Sequence, residues 1–110
     1  MNPSETAREI AEEVYSKNIQ KFQEVNTEYA KRIESCTPLK VNSAEEYDRC
    51  LSRTQRQLFL FLSSFELATN NLEECIKTSN TQTDEDLNDC RLAYEGHIND
   101  YLNSTQKKFE

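Results

Sequence analysis

The stretch IESCTPLKVNSAEEYDRC, Ile33 to Cys50, holds a helix end, a helix start and two cysteines within eighteen residues. Pro38 disfavours helix at the residue before it, so a helix entering from Ile33 should stop near Cys36. Ser43 followed by Glu46 reads as a capping box, which starts the next helix. Cys36 lies seven residues before the cap and Cys50 seven after it. A connection of roughly six residues makes sequential helices antiparallel neighbours. Residues equidistant from such a turn share one height, so Cys36 can meet Cys50.

The same arrangement recurs further along. TSNTQT, Thr78 to Thr83, breaks the apolar pattern, and Thr83 caps a third helix with Asp84, Glu85 and Asp86 in its first turn. The helix dipole favours acids there. Cys75 stands eight residues before this cap and Cys90 seven after it, so Cys75 can meet Cys90. Other pairings fail on distance. Cys50 and Cys75 would lie about 37 Å apart along one helix, whereas bridged cysteines need Cα atoms within about 7 Å. Each bridge closes a loop of about 15 residues, worth about 3 kcal/mol. The alternatives are buried free thiols and a metal site. Zinc ligands usually stand two to four residues apart, a spacing not found here.

Apolar residues then fill in the helices. Ala7, Ala11, Val14, Phe22, Val25, Tyr29, Ile33 and Cys36 recur at helical spacing, widened by Ile10, Tyr15 and Ile19. Asn2 and Pro3 open this helix. The second stripe is Tyr47, Leu51, Leu58, Phe61, Leu62, Phe65, Leu72 and Ile76. The third is Leu87, Cys90, Tyr94, Ile98, Tyr101 and Phe109. The expectation is an all-α, up-down-up three-helix bundle forming one domain over 1–110. Its helices span about 3–36, 44–78 and 84–109, with a disulfide at each turn.

Composition narrows function. A net charge of −7 argues against general nucleic-acid binding, which needs a basic footprint. No apolar run approaches the roughly 20 residues of a membrane span. The opening MNPSETAREIAEEVYSKN is acidic and lacks an apolar core, so it is expected to be neither a secretory signal nor a transit peptide.

At its cysteine-bearing turns, about residues 36–90, the chain resembles in general style the twin-cysteine helical-hairpin proteins of the mitochondrial intermembrane space. That family places nine residues between the cysteines of a pair. Here the gaps are 13 and 14, and each pair clamps a different turn. The resemblance implies a small helical protein oxidised on import. It also implies a role among assembly factors, small chaperones and accessory subunits of respiratory complexes.

The segment RQLFLFLSSFEL, Arg56 to Leu67, carries more apolar residues than one buried face needs. On a helical wheel Leu60 and Leu67 fall opposite the core stripe and Phe59 on its flank, with Arg49, Arg53 and Arg56 on the outer side. Scattered exposed leucines are ordinary. The alternative is a docking face for a protein partner bearing acidic groups, or a peripheral contact with anionic lipid. Gly96 also points outward, where a backbone could approach closely.

Counting heights from the cysteines puts Asn18, Thr69 and His97 at one level. They are expected either to form a hydrogen-bonded layer that fixes register or to leave His97 as an edge residue. No Gly-rich loop, activated nucleophile or ligand cluster stands out, so neither catalysis nor a cofactor is expected. Asn103-Ser104-Thr105 matches the glycosylation pattern. The sequence thus points first to a non-catalytic subunit docking with protein subunits of a larger complex. That complex is expected to belong to the respiratory chain or ATP synthase, on the intermembrane-space side. A chaperone-like module of that compartment and a secreted helical ligand or surface protein are the alternatives.

Overall fold

The computed structural model describes residues 2–78 and 84–109. The chain is all-helical, with no strand among the described residues. Its elements are α1 (Pro3–Lys17), α2 (Ile19–Ser35), α3 (Leu39–Asn42), α4 (Ala44–Thr78) and α5 (Asp84–Lys108). The expected cap Thr83 lies outside the described residues.

Asn2 caps α1: its side-chain oxygen accepts the backbone N–H groups of Ser4 at 3.0 Å and Glu5 at 3.4 Å. The single helix expected over 3–36 is instead interrupted at Asn18. The Asn18 backbone departs from helical values (φ −113°, ψ 16°). Its N–H reaches Tyr15 O at 3.1 Å as well as Val14 O at 3.2 Å, and its side-chain amide donates to Val14 O at 2.9 Å. An Asn side chain that binds a nearby carbonyl offers the backbone an alternative to the helical ladder.

The stretch after Cys36 is not a plain loop but carries the one-turn helix α3. Ser43 follows in extended conformation, and its hydroxyl accepts the Glu46 N–H at 3.2 Å. The reciprocal arm of the capping box is replaced, because the Ser43 N–H donates to Leu39 O at 2.8 Å.

Disulfides join Cys36 to Cys50 and Cys75 to Cys90, with Cα atoms 5.8 and 5.9 Å apart. Ser4, near the start of α1, donates to Glu73, near the end of α4, at 2.6 Å. α4 therefore runs antiparallel to α1 and α2. Polar pairs link α5 to them in parallel order: Glu13 with Arg91 at 3.3 Å and Glu24 with Gln106 at 2.9 Å. The result is a rod of 61 × 22 × 18 Å.

A continuous run of aromatic contacts crosses this rod. Tyr15 packs on Phe22 (4.8 Å), Phe22 on Phe65 (4.9 Å), Phe65 on Phe61 (4.7 Å), Phe61 on Tyr29 (5.9 Å) and Tyr29 on Phe109 (5.0 Å). Such pairs contribute about 0.5–1.5 kcal/mol each beyond area burial. The Arg32 guanidinium closes the end, 4.7 Å above the Phe109 ring. Tyr29 is buried, and its hydroxyl faces Gln57 O at 3.5 Å. Burial pushes its pKa above the ordinary 10.0, and the Arg32 charge opposes this only in part.

The phase of α4 differs from the expected one. Thr54, Phe61, Ala68, Leu72 and Ile76 are buried, whereas Leu62, expected in the core, is 54% exposed. With Leu58 at 0° and about 100° per residue, the buried set centres near 310°, which leaves Leu62 about 90° away. Tyr15 and Ile19 are also largely exposed. Leu102 and Thr105 of α5, outside the expected stripe, are buried.

Candidate functional site

α4 positions its outer face by turning every buried residue the other way. Phe59, Leu60 and Leu67 are 67%, 57% and 56% exposed. Arg49, Arg53 and Arg56 are exposed on the N-terminal half of the same helix. Arg49 bonds Glu45 one turn back at 3.1 Å, while Arg53 and Arg56 have no ion-pair partner among the described residues. The Ser64 hydroxyl donates back to Leu60 O at 2.9 Å, so it presents little free polarity beside the leucines.

A recess of about 490 Å³ beside the Cys36–Cys50 bridge brings Arg32 of α2 together with Arg49 and Arg53 of α4. Arg32 escaped the sequence reading because only the fold carries it to the α4 arginines. Arg32 is tethered, donating to Lys108 O at 3.3 Å. The basic character of this end thus comes from two helices, in a protein of net charge −7.

Asn18, Thr69 and His97 are not joined in a hydrogen-bonded layer; His97 stands at the edge, the other of the two expectations. Asn18 bonds its own helix, as above. The Thr69 hydroxyl lies 2.9 Å from Phe65 O and 3.3 Å from the Tyr94 hydroxyl. His97 is exposed and stacks on Tyr101. An exposed imidazole keeps its water, so nothing draws it toward Thr69, while Tyr94, one turn before Ile98 on the α5 core side, reaches it instead. Gly96 is exposed too, and a methyl group at its Cα would meet no atom within 4 Å. Among the described residues nothing covers Gly96, which points outward as expected.

A second concave surface was not foreseen. Between α1–α2 and α4 runs a groove of about 740 Å³. Ala7 and Ala11 keep its α1 wall low, Leu62 forms part of the α4 wall, and Tyr94 and Ile98 of α5 lie among its lining. Ala7 belongs to the core and Ala11 packs against it, as expected, and their small size is what leaves the space. At its end Glu73 accepts from Ser4 and pairs with Lys77 at 3.3 Å. The Ser4 hydrogen bond, aided by Lys77, holds the Glu73 carboxyl below the usual range.

Among the described residues no helix is long and apolar enough to cross a membrane, and no three His, Cys, Asp or Glu side chains converge as metal ligands. Comparison of the chain with family models, with curated proteins and with solved structures finds no match.

Proposed function

We propose that this chain is a non-catalytic docking subunit of a larger protein assembly. In this reading it is an up-down-up three-helix rod, clamped by a disulfide at each turn. It presents one side of α4 to an acidic partner. The observation that carries the reading is the exposure of Phe59, Leu60 and Leu67 beside Arg49, Arg53 and Arg56. These apolar residues contribute little to the protein's own core. Apolar area beside cations suits a partner surface that is itself apolar and acid-rimmed.

The two disulfides favour an oxidising compartment. We place the protein on the intermembrane-space side of a mitochondrial respiratory-chain or ATP synthase complex, where it adds contact area and rigidity. A dissociable chaperone-like module of that compartment is the second reading. A secreted helical ligand is the third, favoured by the exposed Asn103 of the Asn103-Ser104-Thr105 triplet. In all three the α4 face does the binding; an anionic lipid surface is a lesser candidate than a protein.

The test is a double substitution, Leu60→Gln with Leu67→Gln. Helicity and melting should stay near those of the parent, while co-migration with a large complex at fixed stoichiometry on native gels is lost. A parent protein that runs only as a free monomer in native extracts would refute the reading. Localisation by fractionation, with protease access to opened outer membranes, separates the intermembrane space from secretion.

A further inference from the structure

The groove between α1–α2 and α4 is separate from the α4 face argued above. The geometry points to a binding site there for an organic ammonium ion with an apolar body. Three independent features converge on that chemistry.

The first is size and lining. A volume of about 740 Å³ suits a small molecule, since ligand clefts typically span about 300–1,000 Å³ and are mostly apolar. Five aromatic rings, those of Tyr15, Phe22, Phe61, Phe65 and Tyr94, line it. The faces of aromatic rings attract cations, and rings grouped around a cleft recognise ammonium groups.

The second is the polarity of its part-buried hydrogen bond. The Thr69 hydroxyl has one proton, and Phe65 O at 2.9 Å is an acceptor only. Thr69 therefore donates to Phe65, and Tyr94 must donate to Thr69 across their 3.3 Å contact. The Tyr94 proton is thus spent, and the hydroxyl of this groove-lining residue keeps only lone pairs. The groove's inner polar point accepts, so it favours a ligand that donates.

The third is charge. The groove is lined by the carboxylates of Glu12 and Glu73 against the single cation Arg8. Ser4 and Lys77 both engage Oε1 of Glu73, so Glu12, which makes no ion pair among the described residues, is the groove's free carboxylate. The overall charge of −7 acts in the same direction.

The test compares three probes of one shape, phenylbutylamine, phenylbutanol and phenylbutyrate, by calorimetry and by the methyl resonances of Ala7 and Ala11. The amine should bind about fivefold or more tighter than the alcohol, with the carboxylate weakest. Both alanine methyls should shift in the unaltered protein. Glu12→Gln should narrow the gap between amine and alcohol. Ala11→Leu, which fills the groove, should weaken the amine about tenfold. The Leu60→Gln, Leu67→Gln protein should bind the amine as the parent does; if it does not, the site is the α4 face and the inference fails. Equal or tighter binding of the carboxylate overturns it, as do unmoved alanine methyls at saturating amine.

Discussion

Cys36 and Cys50 stand fourteen residues apart in sequence and 5.8 Å apart at Cα, with Cys36 fully buried where α2 ends. A crosslink between helix ends acts mainly by restricting the unfolded chain. Replacing either pair, Cys36→Ser with Cys50→Ser or Cys75→Ser with Cys90→Ser, should cost about 3 kcal/mol. Urea unfolding measures this directly. A pair variant with the parent's midpoint and slope would show that its bridge constrains nothing.

How much could be read in advance depended on where the information sits. Helix ends are written locally, in Asn2, Pro38 and Ser43, so the turn heights, and from them the cysteine pairs, follow from counting. The phase of α4 is not local. Apolar residues occur on both sides of Leu58, and periodicity alone centred the stripe about 50° away from the side that packs. The cysteines could have corrected it: bridged Cys50 and Cys75 must face their neighbours, and both fall near 260–280°. That direction includes Ala68 and excludes Leu62. The Asn18 interruption rests on one side-chain hydrogen bond, and residue propensities differ by only about 0.7 kcal/mol. The groove arises because two alanines face three aromatic-bearing helices, a fact no single helix contains.

The corrected phase makes a sharp contrast between leucines. Leu72 is 2% exposed, and Leu72→Ala should cost about 2–5 kcal/mol. Leu60→Gln and Leu67→Gln should each stay within about 0.5 kcal/mol of the parent. Leu62→Ala should fall far below Leu72→Ala. Comparable losses at Leu62 and Leu72, in chemical unfolding, would restore the stripe centred on Leu58.

Tyr29 ties stability to alkaline pH. Its folded-state pKa lies above the ordinary 10.0, chiefly through burial. The unfolded chain therefore gives up this proton first as pH rises. The contribution is whole below pH 10.0 and is lost as pH climbs through the folded value. Ultraviolet titration should show one phenol ionising late, and Tyr29→Phe should abolish that step. The Tyr29→Phe protein should also lose less stability than the parent between neutral and alkaline pH.

Glu73 behaves in the opposite sense. The Ser4 hydroxyl is the main cause of its lowered pKa, followed by Lys77. The contribution is present above the ordinary glutamate range and fades as pH falls through the lowered value. Ser4→Ala should raise the Glu73 pKa, read from its carboxyl carbon resonance. The melting difference between parent and Ser4→Ala should be small at the surface-exposed site and should vanish in acid. A Glu73 resonance that titrates identically in both proteins would mean that the Ser4 link does not persist in solution.

Gly96 separates the free chain from the assembled one. It occupies the interior of α5 with open space around its Cα. Glycine within a helix costs about 0.5–1 kcal/mol relative to alanine, so Gly96→Ala should stabilise the isolated protein by about that amount. Assembly adds a second reading of the same variant. If the partner's backbone seats against α5 at this point, the added methyl group will weaken co-migration while the free protein melts higher. If assembly is unchanged, docking is confined to the α4 face. Native gels and thermal melts on one preparation supply both readings.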